Sequence, residues 1–268
     1  MNPIDQLFRR LRSAGRKAFI PFLTGGDPDL EGTGVLLREV VRCGADLVEI
    51  GFPYSDPIAD GAVIQASYTR ALARGLRIDQ LFDALAEWSA AVPQTPIVAM
   101  ASYSLIHHRG PSAFLDRAQS AGLSGAIVPD LPVEESAELV DLARARDFKL
   151  IQLVTPTTPR ERAAEIARRS TGFLYCVSVT GITGAREQLP AELRGQLEWL
   201  RTQTDLPLCV GFGVSKPEHA RTLRDVADGV IVGSAIVRRL EQVGPRPLAE
   251  VAAEVGAFVQ TLRQALDS

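Results

Sequence analysis

Two carboxylates stand where their types and spacing could carry acid–base chemistry. Glu49 lies inside the run Leu47-Val48-Glu49-Ile50, whose other members favour β-structure and read as a buried strand. A charged group in such a run is penalised by desolvation unless something compensates, so a fold that keeps it has a use for it. The plain alternative is a structural ion pair with an arginine. The strand then breaks into Gly51-Phe52-Pro53-Tyr54-Ser55-Asp56-Pro57-Ile58-Ala59-Asp60-Gly61. Pro53 and Pro57 end the strand and stiffen the loop, so that Asp60 can fold back towards Glu49. On spacing alone Asp56 and Asp60 are equal candidates, with turn-forming Asp as the ordinary explanation for either.

Glycines mark a second site. Gly181 and Gly184 follow the sixth apolar run, Gly211 and Gly213 the seventh, and Gly233-Ser234 closes the eighth at the head of a helix. Bare backbone amides in such loops form a cradle for phosphate, although a glycine can also serve an ordinary turn. A phosphate-bearing ligand is therefore expected. Other constellations do not assemble. His107-His108 are adjacent and His219 is remote, with no Cys or His partners at metal-ligand spacing, so no structural zinc is expected. There is no G-x-S-x-G elbow. The only lysine in an apolar run is Lys149, at the start of the fifth, which gives a Schiff-base mechanism no well-placed amine.

The elements that must position these groups repeat along the chain. Short apolar runs at 18–23, 46–51, 97–102, 125–129, 150–154, 173–178, 208–212 and 229–233 are each followed by a turn signal and an amphipathic segment. Helices are expected at 30–42, 62–73, 78–90, 112–120, 134–145, 160–169, 191–203, 216–225, 234–241 and 247–265. A further helix at 4–14, with Ile4, Leu7, Phe8 and Leu11 on one face, should plug or flank the core. Runs apolar on both faces, alternating with helices, indicate a parallel sheet covered by helices. The fold class is α/β: a single (β/α)8 TIM barrel over residues 1–268, with an extra N-terminal helix and additional helices after strands 2 and 8. Its site would lie at the carboxyl ends of the strands. An open doubly wound sheet needs G-x-G-x-x-G after its first strand, and Thr24-Gly25-Gly26-Asp27-Pro28 does not supply it.

Composition narrows the setting. A hydrophobic content of 46% supports a large core, and a net charge of -3 gives no hint of a nucleic-acid or anionic-membrane surface. Cys43, Cys176 and Cys209 are odd in number and sit in apolar runs, which suits buried thiols in a reducing cytoplasm. No signal peptide or spanning run is read, so a cytoplasmic location is expected.

The stretch from Val48 to Gly61 resembles the signature of the tryptophan synthase alpha chain family. The likeness continues through Phe22-Leu23-Thr24, Asp27-Pro28, Pro129-Asp130-Leu131-Pro132, Thr155-Pro156-Thr157-Thr158, Thr180-Gly181-Ile182-Thr183-Gly184-Ala185-Arg186, Gly211-Phe212-Gly213 and Val232-Gly233-Ser234-Ala235-Ile236-Val237. The resemblance implies a lyase of tryptophan biosynthesis that cleaves indole-3-glycerol phosphate to indole and glyceraldehyde 3-phosphate in a retro-aldol reaction. It makes Glu49 the acid–base residue and Asp60 its partner, with no metal or organic cofactor required. It also implies phosphate binding by Gly184, Gly213, Gly233 and Ser234. The indole would be held by residues matching Phe22, Ile64, Met100, Ile127, Leu153, Tyr175 and Phe212. Residues 180–190 would form a lid that brings Thr183 towards the carboxylates. A beta chain, in an α2β2 heterotetramer, would dock against loops at 53–60 and 104–108. One departure falls there: Ser104-Leu105 stand where the family usually has Asn-Pro.

Three other functions compete. A free-standing lyase would release indole without a beta chain. A weakly active barrel would mainly activate that partner, which intact Glu49 and Asp60 argue against. A different phosphosugar barrel, such as an isomerase, would explain the glycines but not the loop from Pro53 to Asp60.

Overall fold

Along the strands, alternate side chains divide between two apolar clusters, and that division builds the architecture. In β1 (Ala18–Thr24), Ala18, Ile20 and Phe22 join one cluster while Phe19 and Leu23 join the other. The same parity runs through β2 (Val48–Gly51), β3 (Ile97–Met100), β5 (Lys149–Val154), β6 (Leu174–Val177), β7 (Leu208–Gly211) and β8 (Gly229–Val232), while β4 (Leu123–Ile127) resumes it after a register shift near its start, Ala126 facing outward and Ile127 inward. Side chains on a strand alternate sides with period two. The inward set includes Val98, Met100, Ile127, Ile151, Tyr175, Cys209 and Ile231, and the outward set packs under the helices. All eight strands are parallel and close in sequence order, β8 pairing back onto β1. The computed structural model describes residues 1–57, 60–178, 191–211 and 213–268, excepting the side chains of 191 and 192.

The helices are α1 (Pro3–Ser13), α2 (Leu30–Arg42), α3 (Ala62–Ala73), α4 (Ile78–Ala91), α5 (Tyr103–Arg109), α6 (Pro111–Ser120), α7 (Ala137–Ala145), α8 (Arg160–Arg169), α9 (Ala191–Leu200), α10 (Pro217–Arg224), α11 (Ser234–Leu240) and α12 (Leu248–Asp267). The barrel, the N-terminal helix and the helix pairs after β2 and β8 are as the sequence implies. Helix α1 plugs the amino-terminal end: Ile4, Leu7, Phe8 and Leu11 enter the interior cluster, and the Phe8 ring lies 5.7 Å from Phe173. Asn2 fastens it, its amide donating to the carbonyls of Ser124 at 2.9 Å and Asp147 at 2.7 Å.

Two features depart from the expectation. Residues 104–108, read as a loop, belong to α5, a helix that the short polar-apolar mixture Tyr-Ser-Leu-Ile-His-His does not announce. Asp46, read as strand, precedes β2 and accepts hydrogen bonds from the Phe19 amide at 2.9 Å and Arg263 at 2.8 Å. That nearly buried pair ties the base of the barrel to α12. Lys149 also sits at the base, paired with Asp5 and Asp147. All three cysteines are buried and free. Among the described residues no helix is long and apolar enough to cross a membrane.

Candidate active site

Glu49 occupies an inward position of β2, in register with Phe22 of β1 and Val98 of β3, so an apolar residue flanks it on each side. It is 1% exposed, and neither carboxylate oxygen has a hydrogen-bond partner among the described residues. Among the described residues no arginine reaches it, so none of them supplies the ion pair that the plain alternative requires. Burial, with the nearby charge of Asp60 as a second cause, pushes its pKa up to about 8. The group is therefore mostly protonated at neutral pH.

Asp60 reaches the same mouth from the loop. Its amide closes a turn onto the Pro57 carbonyl at 3.1 Å, and the Gln65 side chain of α3 donates to the carbonyls of both Asp60 and Pro57. The residue is buried, with its pKa raised to about 6 by burial and by the charge of Asp130, while the Tyr54 hydroxyl acts in the opposite direction. Asp56 instead is exposed and accepts from Ser55 at 2.6 Å. Burial thus separates two aspartates that spacing could not.

Around the acids the barrel interior supplies an apolar wall. Phe22, Ile64, Met100, Ile127 and Tyr175 belong to one buried cluster, and the half-buried Leu153, in register with Tyr175, packs against it. The end of β1 is fastened to α3 by Thr24–Ser67, at 2.6 Å, and the loop after it by a two-pronged Arg70–Asp27 pair at 3.0 and 2.7 Å. Thr183, Gly184 and Phe212, with all of residues 179–190, lie outside the described residues.

On the same rim, after β7, Gly213 is exposed with φ +85, a left-handed backbone that favours glycine. Gly233 precedes Ser234, the first residue of α11, and its Cα faces Phe22: a methyl group there would lie 3.5 Å from the Phe22 Cβ. Gly211 has a different role from the loop glycine that the sequence suggests. It ends β7, and a side chain on it would collide with the Tyr175 hydroxyl.

Two groups not named as site residues from the sequence also stand at the mouth. Tyr68, on α3, is 1% exposed with its hydroxyl unpartnered among the described residues, and the Tyr54 ring packs against it at a tilt of 54°, centroids 5.7 Å apart. Tyr68 follows Ile64 by four residues, hence on one helix face, and that spacing was available to find it. Asp130 follows β4 and accepts from the Tyr103 amide at 2.7 Å and the Ser102 hydroxyl at 2.9 Å. It thereby caps α5, and Ser104, at the departure from the family pattern, bonds Ser102 at 2.6 Å.

Fold and site together define a parallel eight-stranded barrel with two buried, partly protonated carboxylates at its mouth. A family model described as the tryptophan synthase alpha chain matches residues 8–267. A tryptophan synthase alpha chain of Rhodopirellula baltica is 50% identical over the whole of both chains, and one of Rippkaea orientalis is 47% identical over 99% of this chain and 98% of its own. The tryptophan synthase alpha chain of Legionella pneumophila superposes with a TM-score of 0.89 at 33% identity, covering 100% of this chain and 98% of that one. A chain from the tryptophan synthase α2β2 complex of Pyrococcus furiosus gives 0.85 at 38% identity, covering 92% and 98%. The chain belongs to the tryptophan synthase alpha chain family.

Proposed function

We propose that this chain is the alpha subunit of a tryptophan synthase, cleaving indole-3-glycerol phosphate to indole and glyceraldehyde 3-phosphate and passing indole to a beta chain. The observation that carries the reading is Glu49: a buried acid with no hydrogen-bond partner among the described residues, held protonated near neutral pH beside a second carboxylate. The scissile bond joins an electron-rich ring carbon to a carbinol carbon. Protonation of that ring carbon turns the ring into an electron sink, and Glu49 is the proton donor. The resulting Glu49 carboxylate takes the carbinol proton as the bond breaks, which restores the aromatic ring and leaves the aldehyde. Asp60 accepts a hydrogen bond from the ring N–H and stabilises the positive charge there.

Phe22, Ile64, Met100, Ile127, Leu153, Tyr175 and Phe212 hold the indole in this reading. Gly184, Gly213, Gly233 and Ser234 receive the phosphate, and Thr183 completes the substrate contacts by resemblance to the family. The beta chain docks on the rim that carries residues 53–60 and α5. Three buried free thiols suit a cytoplasmic enzyme. The test is indole release from indole-3-glycerol phosphate, with and without a beta chain. Release that quickens with the beta chain is the expected result. No indole in either case would end the proposal.

A further inference from the structure

Three buried oxygen atoms inside this barrel lack a hydrogen-bond partner among the described residues: both carboxylate oxygens of Glu49 and the hydroxyl of Tyr68. The first two are accounted for by proton transfer, but the third has no role in the reaction as described. Its location is fixed by Gly51. A methyl group built on that glycine would lie 2.6 Å from the Tyr68 hydroxyl and 2.5 Å from the tip of the Phe22 ring. Gly51 is two residues beyond Glu49 in β2 and shares its inward face. The phenol of Tyr68 therefore crosses from α3 into the barrel, just above Glu49 and beside the ring that lines the indole pocket.

A phenylalanine would fill the same volume without burying an unpaired hydroxyl, which is costly to leave unsatisfied. A ligand would satisfy it. We propose that Tyr68 contacts the substrate, its hydroxyl donating a hydrogen bond to the oxygen on the carbon that becomes the aldehyde. This rests on the cleavage reaction proposed above. In that step the carbinol proton passes to the Glu49 carboxylate. The electron pair of the O–H bond becomes the new carbonyl π bond, and the pair of the breaking carbon–carbon bond returns to the protonated ring. The oxygen gains negative character while its proton departs, so a fixed donor there stabilises the transition state more than the ground state. Tyr68 keeps its proton for this, because burial, and then the charges of Asp60, Tyr54 and Glu49, raise its pKa well above the usual tyrosine value.

The experiment is Tyr68→Phe in the full chain, assayed with a beta chain present. Indole release should fall roughly tenfold in kcat/KM, the worth of one hydrogen bond to a charged oxygen, mostly through kcat. Affinity for an indole analogue with a saturated three-carbon phosphate tail and no hydroxyl should stay within about twofold of the unmutated chain, since the bond in question is then absent from both. The thermal midpoint should not fall. Unchanged turnover in an active enzyme overturns this inference alone. Equal losses for substrate and analogue, or a lower midpoint, also overturn it, since each makes Tyr68 a packing residue. If the unmutated chain releases no indole, the proposed function falls and takes this inference with it.

Discussion

Replacing Glu49 by Gln should separate stability from activity in opposite directions. Unfolded, the carboxyl titrates at its ordinary value, 4.5; folded, burial raises it to about 8. Between those values the folded state holds a proton that the unfolded state has released. Stability therefore falls as pH rises from about 4.5 to about 8 and levels off above. At about 1.4 kcal/mol per pH unit, the roughly 2.5 units between 4.5 and pH 7 amount to a destabilisation on the order of 3 kcal/mol. Glutamine keeps nearly the same volume and does not titrate, so Glu49→Gln should be as stable as the unmutated chain below pH 4. By pH 7 it should be more stable by about that amount. Urea unfolding followed by circular dichroism at pH 4, 5.5, 7 and 8.5 measures the difference. Indole release should meanwhile drop at least roughly a hundredfold, the usual contribution of acid–base catalysis. A stability difference that does not grow with pH would refute the raised pKa, and turnover near normal would refute the assignment of the proton to Glu49.

The remaining predictions concern the rest of the mouth. With Glu49 needed protonated and Asp60 ionised, kcat/KM for indole-3-glycerol phosphate should rise through about pH 6 and fall through about pH 8, the two limbs belonging to the coupled pair; a flat profile across pH 5 to 9 contradicts it. Asp60→Asn should cripple cleavage while leaving a phosphate-bearing analogue bound, which calorimetry can check. Gly213→Val should weaken glycerol phosphate binding more than indole binding, because its left-handed backbone disfavours a side chain and the proposed function assigns it to the phosphate; equal losses point to a misfolded rim. Asp130→Ala removes the cap shared by Ser102 and Tyr103 and should cost about 1 kcal/mol of stability, with a measurable drop in beta-chain affinity by calorimetry; unchanged affinity would separate α5 from docking.

How much of this could be read beforehand depends on which side of a residue carries the information. The barrel was legible because most strands announce themselves twice, through an apolar run and through a glycine or proline soon after it; β3, which runs into Ala101-Ser102, has only the first signal. Glu49 was legible for the opposite reason, as a charge where the pattern forbids one. Asp56 and Asp60 were not separable, since both are ordinary loop aspartates in type. Their difference is made by the Pro57 turn and the Gln65 side chain, which turn one inward and leave the other in water. Helix α5 is short and its start is held by two groups, the local cap Ser102, which accepts from the Ser104 amide, and Asp130, distant in sequence, which accepts from the Tyr103 amide; the second of these the sequence does not announce.

The glycines carry the same lesson one step further. Read as sequence, Gly51 and Gly211 are strand-ending residues, available for turns or for phosphate. In the barrel each is small because a tyrosine hydroxyl from elsewhere occupies the space its side chain would need: Tyr68 from α3 against Gly51, and Tyr175 from β6 against Gly211. Both phenols are delivered to the interior beside Glu49, and both have their pKa raised by burial and then by the charges of the acid pair, so they remain neutral donors. The glycine and the tyrosine are thus one device written at two places in the chain. Enlarging the first must displace the second, and Gly51→Ala should therefore impair indole release even though it touches neither carboxylate.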